Sequence, residues 1–164
     1  KDVNCQKVPI DALTNYADVL SKKGNIVILA SGDPSLYGIT EVILRYVMKD
    51  DLEIIPGISS VQYMCAKLKI TMNELTVISL HGRSEDLAGK IKKNGKVAVF
   101  TDDTHTPQYI ARLLKGTEMS CLKVYVGENL SYENEVIYCF DVDELSESDI
   151  KFGLNLVMIT CGNI

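Results

Sequence analysis

Ile26-Val27-Ile28-Leu29-Ala30-Ser31-Gly32-Asp33-Pro34-Ser35-Leu36-Tyr37-Gly38 is the stretch that decides how this chain is read. An apolar, largely β-branched run passes straight into a glycine turn and then a helix-start signature. Such a run, bounded by turn residues, reads as a strand buried on both faces. A second unit of the same kind follows: Leu52-Glu53-Ile54-Ile55, then Pro56-Gly57-Ile58-Ser59-Ser60. Both read as strand, tight glycine turn and helix start, and in open α/β sheets ligands collect at the carboxyl ends of strands. Two such loops close together in sequence point to one pocket.

Outward from these loops, the glycines punctuate the chain as strand-helix units would. Gly24, Gly95, Gly116 and Gly153 each precede an apolar, β-branched run, where a helix should be capped. Gly32, Gly57, Gly82, Gly127 and Gly162 follow such runs, where a strand turns toward a ligand face. The spacing predicts a helix over 10–23 with Leu13, Tyr16, Ala17 and Leu20 on one face, then a strand over 25–30. A helix near 35–48 would bury Ile39, Val42, Ile43, Tyr46 and Val47, and a strand over 52–55 and a helix near 60–69 follow. The rhythm pauses at 70–73, which places the boundary between an N-terminal α/β domain over 1–73 and a C-terminal one over 74–164.

The second half reads strand 75–80, helix 84–93, strand 96–101, helix 107–115 and strand 121–126. Two further strands, 135–140 and 154–160, are separated mainly by an acidic stretch over 141–149. With no full helix between them, they predict antiparallel pairing at the end of a mixed sheet. The fold class is α/β, in two small domains. Tyr46, Tyr63 and Tyr109 fall on apolar helical faces and read as core; Tyr37, beside the first loop, stands apart.

At 164 residues the chain suffices for one ordinary domain or two small ones. An apolar content of 46% and a charged content of 24% are those of a globular protein. No apolar run reaches the length of a membrane span, so no membrane partner is expected. Cys5, Cys65, Cys121, Cys139 and Cys161 form no CxxC pair, and several sit in apolar stretches. They read as free thiols in a reducing, cytoplasmic setting. The net charge of −5 argues against a general nucleic-acid binder, which needs a basic face, and any polyanionic substrate would need a local basic patch.

Asp33-Pro34 has a structural explanation, since Asp caps helices and Pro suits the first helical position. Capping does not account for Gly32 just before it and Gly38 soon after, which let a ligand approach the backbone. Both readings stand on this loop alone. A phosphate site is disfavoured: neither G-x-x-x-x-G-K-[ST] nor G-x-G-x-x-G occurs, and Asp33 would repel the anion. In the second loop Ser60 could simply cap its helix. Alternatively Ser59, Ser60 and nearby amides could hold a carboxylate at the helix N-terminus. Acceptors on one loop and donors on the other suit a zwitterionic amino-acid moiety.

His81-Gly82-Arg83 follows the strand over 75–80. His81 reads first as a hydrogen-bonded structural residue, whereas the Arg83 guanidinium can fork a carboxylate. Asp102-Asp103-Thr104-His105 could be taken for a metal cluster, but no second His is near and Thr106-Pro107 announces a helix start. Capping is preferred there, and no metal is expected.

Ser31-Gly32-Asp33-Pro34-Ser35-Leu36-Tyr37-Gly38 after a strand, then Ile55-Pro56-Gly57-Ile58-Ser59-Ser60, resembles the tetrapyrrole methylase family. Its members transfer methyl groups from S-adenosylmethionine to porphyrin or corrin precursors. Ser79-Leu80-His81-Gly82-Arg83, Val99-Phe100-Thr101 with Thr106-Pro107, Val126-Gly127-Glu128-Asn129-Leu130 and Leu154-Asn155-Leu156-Val157 narrow the resemblance to C5-methylating members of the cobalamin pathway. The resemblance implies two α/β domains with S-adenosylmethionine folded into the cleft between them. It implies that Gly32, Asp33, Leu36, Ser59 and Ser60 line the first-domain side, and that Thr101 and Gly127 face the adenosine. Tyr37, His81 and Arg83 would meet the macrocycle, and Asp33 is the one side chain nominated for a catalytic part. A corrin-precursor substrate, a homodimer and a separate C15-methylating decarboxylase subunit belong to the same expectation. The family opens with a strand and a Gly-x-Gly-Pro-Gly loop that this sequence does not show, so the first domain is expected to lack its N-terminal strand. A non-catalytic small-molecule binding module is the alternative, and methylation at another macrocycle carbon a second.

Overall fold

A run of β-branched residues becomes a strand only when a neighbour completes its hydrogen bonds, and the two halves of this chain differ in that respect. The structure, a computed structural model, describes residues 6–11, 15–80, 86–117, 119 and 121–162. It divides into two compact units, 1–57 and 58–164. The division falls earlier than the boundary expected after residue 73, so the helix after the second glycine loop goes with the second unit.

In the first unit the regular elements are short: helix α1 (Tyr16–Leu20), helix α2 (Thr40–Ile43) and a 3-10 turn at Lys49–Asp51. The helix expected over 10–23 is shorter because Asn15 caps α1, its side chain accepting from Ala17 N at 3.1 Å. Leu13, expected on the inner face, lies outside the described residues. The helix expected over 35–48 is interrupted near its start. Tyr37 has φ +51°, a left-handed conformation that an α-helix does not accommodate, so α2 begins only at Thr40. Of the expected inner face only Ile43 is fully buried, and Tyr46 is 50% exposed rather than core. The runs at 25–30 and 52–55 form no strands. Val27, Leu29 and Ile55 are 81%, 91% and 76% exposed: these runs have the composition of buried strands without a sheet to bury them.

The second unit runs α3 (Ser60–Leu68), β1 (Thr76–Ser79), α4 (Leu87–Asn94), β2 (Lys96–Phe100), α5 (Pro107–Leu114), β3 (Leu122–Glu128), β4 (Val136–Asp141), α6 (Val142–Glu147) and β5 (Asn155–Cys161). The strands form one mixed sheet in the order β1-β2-β5-β3-β4. β1 and β2 are parallel, β5 is antiparallel to both β2 and β3, and β4 is antiparallel to β3. The two late strands, β4 and β5, do not pair with each other as expected: α6 lies between them, each pairs antiparallel with β3, and β5 inserts at the centre of the sheet rather than at its end. Its Leu156, Val157, Met158 and Ile159 are all buried, as a strand apolar on both faces requires.

Register lines up Ile78, Val99, Val157, Val126 and Tyr138 across all the strands, with Val97, Ile159, Val124 and Phe140 forming a parallel row. Alternate residues of a strand share a face, so the two rows make one apolar surface. Helices α4, α5 and α6 cover it with Leu87, Ile91, Ile110, Ala111, Leu114 and Leu145. Each fully buried aliphatic side chain here contributes roughly 1.5–3 kcal/mol of transfer free energy. Ala98, Leu156 and Met158 on the opposite face are buried too, and the inner side of α3 (Val61, Met64, Cys65) is the apolar surface within this unit available to cover them. α4 ends on Gly95 at φ +70°, the left-handed cap that glycine supplies without strain. Tyr63 and Tyr109 are not core residues. Tyr109 is 36% exposed and edge-on to His105, because Ile110, Ala111 and Leu114 already fill the inner face of α5. Cys65 is buried and Cys121, Cys139 and Cys161 are exposed, all as free thiols. No helix among the described residues is long and apolar enough to cross a membrane.

Candidate functional site

Asp33 organises the first glycine loop. Its carboxylate accepts the Ser35 hydroxyl at 2.5 Å and Ser35 N at 2.8 Å. These bonds close a turn rather than cap a helix, since α2 starts later. The Ser35 hydroxyl first, then the Ser35, Gly57 and Leu36 backbone N–H groups, hold the Asp33 carboxyl below the usual carboxylate range, so it is ionised at neutral pH. The glycines here serve the backbone itself. A Cβ on Gly57 would overlap the Gly32 carbonyl oxygen, and one on Gly38 would lie 2.5 Å from the Pro34 carbonyl oxygen. Gly38, expected to admit a ligand, instead closes the turn against Pro34. Gly32 takes φ +70°, Leu36 is half-buried and Tyr37 is exposed.

At the start of α3 the two serines have separate tasks. Ser59, 3% exposed, is the cap: its Oγ accepts Gln62 N at 3.2 Å and donates to Gln62 Oε1 at 3.1 Å. The Gln62 side chain also accepts Ser59 N at 2.9 Å, completing a capping box. The Ser59 hydroxyl is therefore already engaged, and the capping role expected of Ser60 belongs to its neighbour. Ser60 occupies the first helical position, half-buried, and its hydroxyl takes no hydrogen bond from the described residues.

Thr101 and Gly127 are brought to one edge of the sheet. β2 and β3 both run antiparallel to β5, so their carboxyl ends flank its first residues. Phe100 and Gly127 pair with Leu156, and Glu128 pairs with Asn155. Thr101 Oγ1 donates to Asn155 Oδ1 at 2.9 Å, Asn155 Nδ2 donates to the Gly153 carbonyl at 2.8 Å, and Glu128 Oε1 accepts Gly153 N at 2.5 Å. Beside this edge lies a cleft of about 640 Å³ whose walls include Thr101, Asp102, Asp103, Gln108, Lys151 and Asn155. A Cβ on Gly127 would lie nearest the Leu130 side chain, at 2.8 Å.

Asp102 shapes the cleft's rim. It accepts Thr104 N at 2.9 Å and His105 N at 2.6 Å, and lies 3.0 Å from His105 Nδ1. Thr106 then caps α5 with Pro107 at its first position. Among the described residues no group of three His, Cys, Asp or Glu side chains is placed to hold a metal. His81 and Arg83 lie outside the described residues. Sequence reasoning passed over Gln108, Lys151 and Asn155 as cleft residues. Gln108 follows a helix-start signature that already explained its neighbours, and Lys151 and Asn155 come from the far end of the chain.

The sequence profile of the Tetrapyrrole (Corrin/Porphyrin) Methylases matches residues 9–146. The chain is 38% identical over 150 residues to the cobalt-precorrin-7 C(5)-methyltransferase of Salmonella typhimurium, covering 92% of this chain and 72% of that protein. Among solved structures it is similar to the cobalamin biosynthesis precorrin-6Y methylase of Archaeoglobus fulgidus, at 24% identity and a TM-score of 0.55, over 80% of this chain and 60% of that one. It also resembles the uroporphyrin-III C-methyl transferase of Thermus thermophilus complexed with S-adenyl homocysteine, at 17% identity and a TM-score of 0.61. That match covers 79% of this chain and 62% of the Thermus chain.

Proposed function

The chain belongs to the tetrapyrrole methylase family, and from that membership we propose that it is an S-adenosylmethionine-dependent C-methyltransferase. Its substrate is a cobalt-precorrin or precorrin macrocycle, methylated at C5 in cobalamin biosynthesis, and its setting is cytoplasmic. The observation that carries this reading is the carboxyl edge of the sheet, where Thr101 and Gly127 flank the start of β5 beside a cleft of about 640 Å³. That volume suits a cofactor-sized ligand. The donor set fits as well: Asp102 and Asp103 beside Lys151 on the same wall suit a ligand that carries a cationic centre together with a carboxylate.

When bound, S-adenosylmethionine supplies an electrophilic methyl group on sulfur. The chain's own residues bind and orient. Thr101 and Gly127 are assigned to the adenosine, and Ser60, with the amides that open α3, to the methionine carboxylate. Gly32, Asp33, Leu36 and Ser59 are assigned to the cofactor side by their motif, with Ser59 acting through the cap it forms. Tyr37, His81 and Arg83 are assigned to the macrocycle, with Arg83 pairing a carboxylate. Holding carbon, methyl and sulfur in line with reacting atoms about 3–3.5 Å apart supplies most of the rate, so no protein nucleophile is required. Asp33, kept ionised by Ser35, is assigned to holding the substrate or a proton acceptor. A second copy of the chain and a separate C15-methylating decarboxylase are the proposed partners.

Incubation with cobalt-loaded and metal-free precorrin-7 in separate reactions, with S-adenosylmethionine carrying a ¹³C methyl, tests this. A labelled methyl on C5 is the expected product. Label on another carbon, or cofactor binding without transfer, overturns the assignment.

A further inference from the structure

Gln108 is a buried polar residue on the cleft to which the proposed reaction gives no task. It lies in the first turn of α5, is 9% exposed and forms part of the cleft wall. Its Nε2 donates to the Ile150 carbonyl at 2.6 Å. A carbonyl only accepts, so this bond fixes the amide with nitrogen toward Ile150 and Oε1 turned away. Oε1 takes no hydrogen bond from the described residues. Among those residues no sealed side-chain oxygen or nitrogen lacks a partner, so Oε1 is not sealed off, and Gln108 is part of the cleft wall. An open acceptor on a cavity wall takes its hydrogen bond from water or from a ligand donor that replaces the water.

The chemistry of the wall narrows the donor. Carboxylates offer none. An ammonium or sulfonium gains more from Asp102 and Asp103 than from a neutral amide deeper in the wall. With the aspartates competing for any cationic donor, a neutral N–H is the donor left to the neutral amide oxygen. The exocyclic amine of adenine is such a donor, and glutamine amides read it in nucleic-acid recognition. We propose that Gln108 reads the adenine of S-adenosylmethionine, its Oε1 accepting a hydrogen bond from the 6-amino group. This rests on the cofactor reading of the cleft, and it makes Gln108 a residue that determines which nucleoside is admitted.

The test compares S-adenosylhomocysteine with S-inosylhomocysteine, in which a carbonyl replaces the adenine amine, by calorimetry on the whole chain. The wild-type protein is expected to bind the adenosyl compound about tenfold or more tightly, because two acceptors would otherwise face each other. Gln108→Met and Gln108→Leu should bring that ratio to within about twofold of one, whatever losing the Ile150 bond costs in stability. In the wild-type protein, the Gln108 side-chain amide resonances should shift with the adenosyl compound and not with the inosyl one, a readout that needs no variant. Equal wild-type affinities overturn the assignment, as does a preference that survives in both variants. If the wild-type protein binds neither compound, the cofactor reading of the cleft falls and this assignment falls with it.

Discussion

Ile26-Val27-Ile28-Leu29-Ala30 and Lys96-Val97-Ala98-Val99-Phe100 are nearly interchangeable as sequence, yet they end in opposite environments. Val97, Ala98 and Val99 are fully buried between β1 and β5, whereas Val27 and Leu29 are 81% and 91% exposed with no ladder. Composition makes both runs capable of being strands. What separates them is the neighbour: β2 has a parallel partner on one side and an antiparallel one on the other, and each residue's backbone groups are paired in consequence.

The largest expected effect follows directly. Ile159→Ala, at the centre of the sheet, should cost about 2–5 kcal/mol in urea denaturation, since a fully buried side chain leaves a cavity that packed neighbours only partly fill. Leu29→Ala should stay within about 0.5 kcal/mol. If the two substitutions cost the same, residues 25–30 are buried in solution and the contrast between the units disappears.

The same contrast explains what could be read from the amino acids. In the second unit all five strands were legible because each is bounded by a turn and each finds partners inside the unit. The place of β5 was not, since adjacency in sequence says nothing about which gap in a sheet a late strand fills. In the first unit periodicity over-counted helix at 35–48, because a left-handed residue at Tyr37 has no periodic signature. The places of Thr101 and Gly127 at the carboxyl ends of strands were legible. That Asn155 lies beside Thr101 on the cleft wall was not, as it arises from a register that joins positions 101 and 155.

Glycine substitutions carry the contrast into the loops, with the next largest effect. Gly57→Ala sets a Cβ against the Gly32 carbonyl, so backbone must move, and about 1–3 kcal/mol of destabilisation is expected. Gly127→Ala first meets the Leu130 side chain, which can change rotamer, and should cost less. Thermal unfolding of the two variants side by side checks this. A Gly57→Ala protein as stable as wild type would show that the first loop relaxes freely.

The two serines of α3 give a smaller and more diagnostic effect. Ser59→Ala removes a capping box and should cost about 1 kcal/mol of stability. Ser60→Ala removes no hydrogen bond among the described residues, so its stability should stay within about 0.5 kcal/mol of wild type. If Ser60 holds the methionine carboxylate, that variant should nevertheless bind S-adenosylhomocysteine about threefold or more weakly. Unchanged affinity in calorimetry would remove Ser60 from the site.

The smallest effect concerns what keeps α3 with the second unit. Lys67 reaches from α3 to Glu135, just before β4, at 2.7 Å. The Lys67 hydrogen bond first, then the Ser131 N–H, lowers the Glu135 carboxyl from 4.5 to about 2. Folding therefore favours the ionised form. The stabilisation is fully present above about pH 4.5 and is lost as the pH falls toward about 2, because the unfolded chain takes up the proton first. Glu135→Gln lacks the charge at every pH, so wild type and variant should differ most near neutrality and converge in acid. Lys67 is 46% exposed although the Glu135 side chain is only 15% exposed, so solvent still screens the pair, which keeps the difference small, and salt should shrink it further. Urea midpoints at about pH 6, 4 and 2.5 would show the convergence. A gap that stays constant across that range would mean that Glu135 acts by packing, and that charge has no part in assigning α3 to the sheet.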